Sequence, residues 1–231
     1  MVIFIKTILF LSLFTITLIL QNHYTDLRLE SFQKNPDCPW CDTEDIGSDV
    51  IYIPGNTSYA RLIAPVDSDF LADLLWLKTS YYFGKHALTD QKFPYLLFLI
   101  DLITDLSPSW LEPYLFGAVI LPVETDSIED AIYLIDKGLT NHPNEWRLWF
   151  FKGFYLWQFK NDKRAASKAI HKASLLPGAP IFTANLASTF ALEAGEKQLA
   201  VNFLQEALKN IHNPEQRRQI LLKLEEVISG E

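Results

Sequence analysis

The sequence predicts an all-α fold: an array of helical hairpins with a single capping helix, preceded by an apolar N-terminal segment. Three observations carry this reading. Pro108, Pro143, Pro177 and Pro214 follow one another at steps of 35, 34 and 37 residues, close to the fixed period that marks stacked helix pairs. From Asp69 onward apolar residues recur at three- and four-residue steps, the period of a helix with one buried face. Small residues recur inside those helices, where paired helices approach within ~8–10 Å only if a side chain is small.

The 231 residues are 49% hydrophobic, so a substantial core is available. Net charge is -8, and it is uneven: +1 over residues 1–20, -5 over 21–67 and -4 over 68–231. With no basic stripe, the chain is not expected to bind nucleic acid or to adhere electrostatically to anionic lipid.

Residues 1–21 are expected to form a transmembrane anchor. Val2 to Leu20 is apolar except for Lys6 and a few hydroxyls. Nineteen residues span about 28 Å, close to a bilayer core. The hydroxyls of Thr7, Ser12, Thr15 and Thr17 can bond back to their own helix, and Lys6 can snorkel. No small-x-small cleavage site follows at Ile19-Leu20-Gln21-Asn22-His23, which argues against a cleaved signal peptide. Lys6 on one side and Arg28 with Lys34 on the other leave orientation almost tied by charge. Cys38 and Cys41 are the only cysteines; a chain without stray thiols suits an oxidising compartment. The expectation is a single-pass protein with its bulk on the extracytoplasmic side, periplasmic in a bacterium.

Residues 22–67 read as an acidic, irregular tether with a short hairpin. Asn35-Pro36-Asp37 and Cys38-Pro39-Trp40-Cys41 are turns. Val50 to Ile53 is a β-type run, with Tyr59 to Ile63 as its pairing strand. The pair Cys38 and Cys41 admits a structural disulfide, a redox dithiol or a metal site. No strand-to-helix setting surrounds it and carboxylates flank it, which favours the structural disulfide. The acidic run Asp37, Asp42, Glu44, Asp45 and Asp49 lacks the order of a calcium loop and reads as a solvated linker. Asn56-Thr57-Ser58 is a glycosylation sequon with meaning only in a eukaryotic secretory protein.

Residues 68–231 form the solenoid. Phe70, Leu71, Leu74, Leu75, Leu77 and Tyr81 make the first helix, broken at Gly84. Pro94 opens the next, and Tyr95 to Leu106 supplies it. Helix pairs then follow over 110–121 with 127–139, 145–159 with 163–175, and 181–194 with 197–211. A polar-faced helix over 215–228 serves as the end cap that a solenoid requires.

These residues resemble the tetratricopeptide family, whose signature runs W-x2-L-G-x2-Y, A-x3-F, P. Trp149, Gly153 and Leu156 occupy the Trp, Gly and Tyr places of one unit, with Ala166, Ile170, Ala173 and Pro177 following after one extra turn residue. Gly117, Ala131, Ile135, Gly138 and Pro143 fit the unit before, after a turn two residues longer. Ala184, Ser188, Ala191, Gly195, Ala200, Leu204 and Ala207 fit the unit after. Trp76 and Ser80 fit a degenerate first unit. The resemblance covers roughly residues 69–213. Leu71 to Leu77 with Tyr81 to Gly84 is also similar to the lead helix of bacterial membrane-anchored tetratricopeptide proteins of uncharacterised role. The resemblance implies a concave surface that binds protein.

Catalytic chemistry has nothing to rest on. The histidines at 23, 86, 142, 171 and 212 are scattered, and no phosphate loop, nucleophile elbow or zincin motif occurs. No enzyme, cofactor or small-molecule substrate is expected. The surplus is aromatic: Trp146, Trp149, Phe150, Phe151, Phe154, Tyr155, Trp157 and Phe159 crowd one helix. Two readings stand. Either Phe150, Phe154 and Trp157 face a partner-binding groove together with Tyr114, Arg147, Asn185 and Thr189, or the array buries them against its own neighbouring units. The functional expectation is a scaffold for protein partners in the membrane or envelope. Its alternatives are a permanent subunit of a large membrane assembly and a thiol or metal carrier working through Cys38 and Cys41.

Overall fold

The computed structural model describes residues 12–17, 19, 57–64, 67–125 and 127–229. The chain divides into two compact units: residues 1–52 with 84–91, and residues 53–83 with 92–231.

In the first unit, residues 12–17 and 19 are helical. The Thr15 and Thr17 hydroxyls donate to the Ser12 and Leu13 carbonyls at 2.9 and 2.8 Å, the back-bonding that lets hydroxyls sit in an apolar helix. Among the described residues no helix is long and apolar enough to cross a membrane. The predicted span falls largely outside those residues, as do the acidic run, Cys38, Cys41 and the Val50–Ile53 strand.

The helices from Thr57 onward are α1 Thr57–Ile63, α2 Ser68–Leu88, α3 Leu96–Leu106, α4 Leu111–Glu124, α5 Ile128–Asn141, α6 Trp146–Gln158, α7 Lys163–Ser174, α8 Phe182–Glu193, α9 Lys197–Asn210 and α10 Pro214–Ser229. From α3 each packs on the next like a run of hairpins, with α4 also touching α6 and α8 touching α10. The protein is all-α, its helices packed consecutively as in a helical-repeat fold. Polar side chains start several of them: Asp67 Oδ1 accepts from the Phe70 amide, Ser127 from Asp130, and Asp162 Oδ1 from Ala165, each satisfying an otherwise unpaired donor of the first turn.

Three boundaries differ from expectation. Tyr59 to Ile63, expected as a strand, lies in α1. Tertiary docking overrides its β-type composition: Ala60 is buried with Ala72, Leu75, Leu102, Ile103 and Leu106, and Thr57 donates to Asp105 Oδ2 at 2.6 Å. α2 runs through Gly84, and turns only where Gln91, at φ 55, donates its amide to the His86 carbonyl. α4 continues through Pro122 to Glu124.

That proline leaves a mark. Pro122 lacks the N–H that would bond the carbonyl four residues back, which is Ala118. The Tyr155 hydroxyl of α6 donates to that buried carbonyl at 2.6 Å. Burial pushes the Tyr155 phenol up to about 12, so it stays a donor at any physiological pH. One unit earlier the Tyr114 hydroxyl lies 3.3 Å from the Thr104 carbonyl, one of the last four of α3 and so without an intrahelical donor.

Small residues sit where the period expects them. A Cβ on Gly153 would stand 2.6 Å from Ile170 Cγ1 and 3.0 Å from the Ala166 carbonyl, so α6 and α7 touch backbone to backbone there. On Gly117 it would stand 2.1 Å from Leu134 Cδ2. The core of the later units joins Ala166, Ile170, Ala184, Ala187, Phe190, Ala191, Ala200, Leu204 and Ile220 across α7 to α10.

Lys137 ties α5 to α3. Its ammonium lies 2.6 Å from Asp101 Oδ1 and 2.6 Å from Asp105 Oδ1. Burial alone would raise the Asp105 carboxyl, but hydrogen bonds from Lys137 and Thr57 and the charges of Lys137 and Arg61 outweigh it and hold the carboxyl below its ordinary value. A depressed carboxyl stabilises the fold above its unfolded-state pKa, and that stability is lost as pH falls through the lower native value. Stability is therefore expected to drop below pH ~4. Lys137→Met should lose the contribution already at neutral pH and flatten that drop, as denaturant unfolding at a series of pH values would read.

Candidate functional site

The aromatic helix α6 begins at Glu145, whose carboxylate accepts from the Arg147 amide at 3.2 Å and pairs with Arg147 Nε at 2.6 Å. The Arg147 hydrogen bond holds the Glu145 carboxyl low, and Glu145 in turn raises the guanidinium. Arg147 is exposed, but it already serves the helix start.

The buried residues of α6 are Leu148, Gly153 and Tyr155. The Trp and Tyr places of the repeat, Trp149 and Leu156, are only half-buried. Trp149 Nε1 instead donates to the Pro143 carbonyl at 2.9 Å, so this Trp clamps the turn that the repeating proline makes. The remaining rings divide into two sets.

One set bridges α6 to α8. Trp157 stacks on Phe190 with centroids 4.9 Å apart and planes 8° off parallel, and its Nε1 donates to Glu193 Oε2 at 2.9 Å. That hydrogen bond, with Lys163 beside it, holds the Glu193 carboxyl low. Phe150 meets Phe182 edge-to-face at 5.8 Å. Phe150, Leu156 and Trp157 all pack against the core of the later units. Phe150 and Trp157 are thus partly buried against the array's own next unit.

The other set stays on the surface of α6. Among the described residues Phe154 meets rings only from its own helix: Phe150 stacked at 6.3 Å, Tyr155 at 5.8 Å and Trp157 at 6.1 Å. At 100° per residue Phe154 lies about 20° around the helix from Arg147 and about 40° from Gln158, both exposed. Phe154 is thus the centre of the open face, with Phe182 of α8, itself largely exposed, at its edge beyond Phe150.

The other expected groove residues separate. Tyr114 is fully buried. Besides its contact with Thr104, its hydroxyl lies 3.4 Å from the Pro108 carbonyl and accepts from Asn141 at 3.2 Å; desolvation pushes its pKa up to about 12. It is a packing residue of the α3–α4–α5 joint and lines no open face. Thr189 and Asn185 are half-buried on α8, and the Thr189 hydroxyl donates back to the Asn185 carbonyl at 3.0 Å. Asn185 Oδ1 and the Ser188 hydroxyl are enclosed and have no hydrogen-bond partner among the described residues. Sequence reasoning had no sign of Glu193 as the Trp157 partner, because Trp157 and Glu193 are 36 residues apart and meet only through helix packing. Phe190 and Phe182 were legible as members of the next unit's first helix.

Cys38 and Cys41 lie outside the described residues. Among the described residues, no group of three or more His, Cys, Asp or Glu side chains is placed to hold a metal ion. No protein-family model matches the chain, and no curated protein does. Sequence and structure together describe an all-helical protein of consecutively packed helices, consistent with a helical-repeat fold.

Proposed function

We propose that this chain is a tetratricopeptide-like scaffold, held to a membrane by residues 2–20, that captures a protein partner on the extracytoplasmic side through the open face of α6. The observation that carries the reading is Phe154: a large, partly exposed ring between the exposed Arg147 and Gln158, whose ring contacts among the described residues all come from its own helix. Aromatic anchors of this kind dominate binding energy at protein interfaces. Arg147, whose guanidinium remains exposed at the same face, supplies polar direction around it. Phe150 and Trp157 fix the face in place.

The tetratricopeptide assignment is supported by the close approach at Gly153 and Gly117 and by the buried Ala166, Ile170 and Ala173 at their family places. The test separates binding from folding. Phe154→Asp is expected to leave helicity and thermal midpoint within a few degrees of wild type, while removing a partner that co-purifies stoichiometrically from mild detergent. A partner retained in full by Phe154→Asp would remove the face from consideration.

A further inference from the structure

The first long helix of the second unit is apolar on two sides. One side, Ala72, Leu75, Thr79 and Tyr82, is buried. The other carries Phe70, Leu74, Leu77 and Tyr81, which are 59, 48, 67 and 62% exposed. A surface helix needs only one apolar face against its own core, so this second stripe calls for an occupant. Its spacing of four, three and four residues is that of a coiled-coil seam, with Leu74 and Tyr81 at a and Phe70 and Leu77 at d.

The flanking charges identify the occupant. In this register Asp73 takes g and Lys78 takes e, about 70° to either side of the stripe. They are five residues apart, too far round the helix to pair with each other, and neither has an ion-pair partner among the described residues. Position g of one strand faces e five residues on in a parallel partner. A second copy in parallel therefore sets Asp73 against Lys78 twice, once on each side of the seam. An antiparallel copy sets Asp73 on the side of Asp73 and Lys78 on the side of Lys78.

We infer that α2 is a homodimerisation helix, pairing in parallel with α2 of a second copy through Phe70, Leu74, Leu77 and Tyr81. Two aromatic side chains of ~150–250 Å² and two smaller leucines, each roughly half to two-thirds exposed, offer on the order of 400–500 Å² per copy. That is less than the ~800 Å² per partner of a standard stable interface. The dimer is therefore reversible and concentration-dependent.

The test uses the full chain in mild detergent, with Cys38→Ser and Cys41→Ser so that introduced cysteines report alone. Sedimentation should show a mass rising with concentration from one toward two 26.5 kDa chains. Leu74→Asp with Leu77→Asp should hold it at one, with unchanged helicity because both side chains are exposed. Leu77→Cys should cross-link to itself on oxidation, since equivalent d positions meet only in a parallel pair. Asp73→Lys should weaken association about five-fold, and adding Lys78→Asp should restore it. A chain monomeric throughout, a dimer indifferent to the two aspartates, or a Leu74→Cys chain that cross-links to a Leu77→Cys chain while neither links to itself would overturn the inference.

Discussion

Gly153→Ala is expected to destabilise the protein by about 2 kcal/mol, although alanine is the better helix former by ~1 kcal/mol. The added methyl would stand 2.6 and 2.8 Å from Ile170 and 3.0 Å from the Ala166 carbonyl. Ile170 is fully buried and cannot swing clear, and the carbonyl belongs to the α7 backbone. The methyl therefore forces α6 and α7 apart. Gly84→Ala is the control. No atom lies within 4 Å of its Cβ position, so the propensity gain should appear there undiminished. Denaturant midpoints of the two variants should move in opposite directions.

Tyr155→Phe carries the second large effect, about 1–3 kcal/mol. The cost is not the ring, which stays, but the Ala118 carbonyl, which is buried and loses the Tyr155 hydroxyl, its one donor from another helix among the described residues. The proline makes this prediction specific. Pro122→Ala restores an amide four residues after Ala118, so the carbonyl regains an intrahelical partner. In that background Tyr155→Phe should cost well under half as much. A double-mutant cycle with no coupling between positions 122 and 155 would show that the hydroxyl is not compensating for the proline.

The proline ladder was legible, and so was much of what it implies. α3 to α10 begin and end close to where caps, prolines and helical spacing place them, because those signals are local. The tight sites Gly153 and Gly117 were legible because backbone contact leaves few residue choices. α1 was not, since it is helical only through docking onto α3 with Thr57 and Ala60. The end of α4 was not, because the donor that replaces the hydrogen bond lost at Pro122 is Tyr155, on another helix 33 residues downstream. The aromatics of α6 were recognisable as a surplus. Their division was not, because Phe150 and Trp157 are claimed by Phe182 and Phe190 of a helix more than thirty residues downstream. Tyr114 was placed in the groove as an aromatic, and its position beside the Thr104 and Pro108 carbonyls, fully buried, belongs to packing.

The exposed stripe of α2 carries a similar lesson. Its six apolar positions all counted as one helical period in sequence, but Leu71 and Leu75 face the core while Phe70, Leu74, Leu77 and Tyr81 face away. Spacing alone does not separate a face buried in its own chain from one buried in an assembly.

The central claim is that the open face of α6 contacts a protein partner in the membrane-bound state. Photo-crosslinking from single positions in native membranes tests it most directly. A photoreactive phenylalanine at position 154 is predicted to give one discrete protein adduct, and the same probe at Lys168, an exposed position on α7, none. Adducts of equal yield and identity from both positions, or none from position 154, would contradict the account.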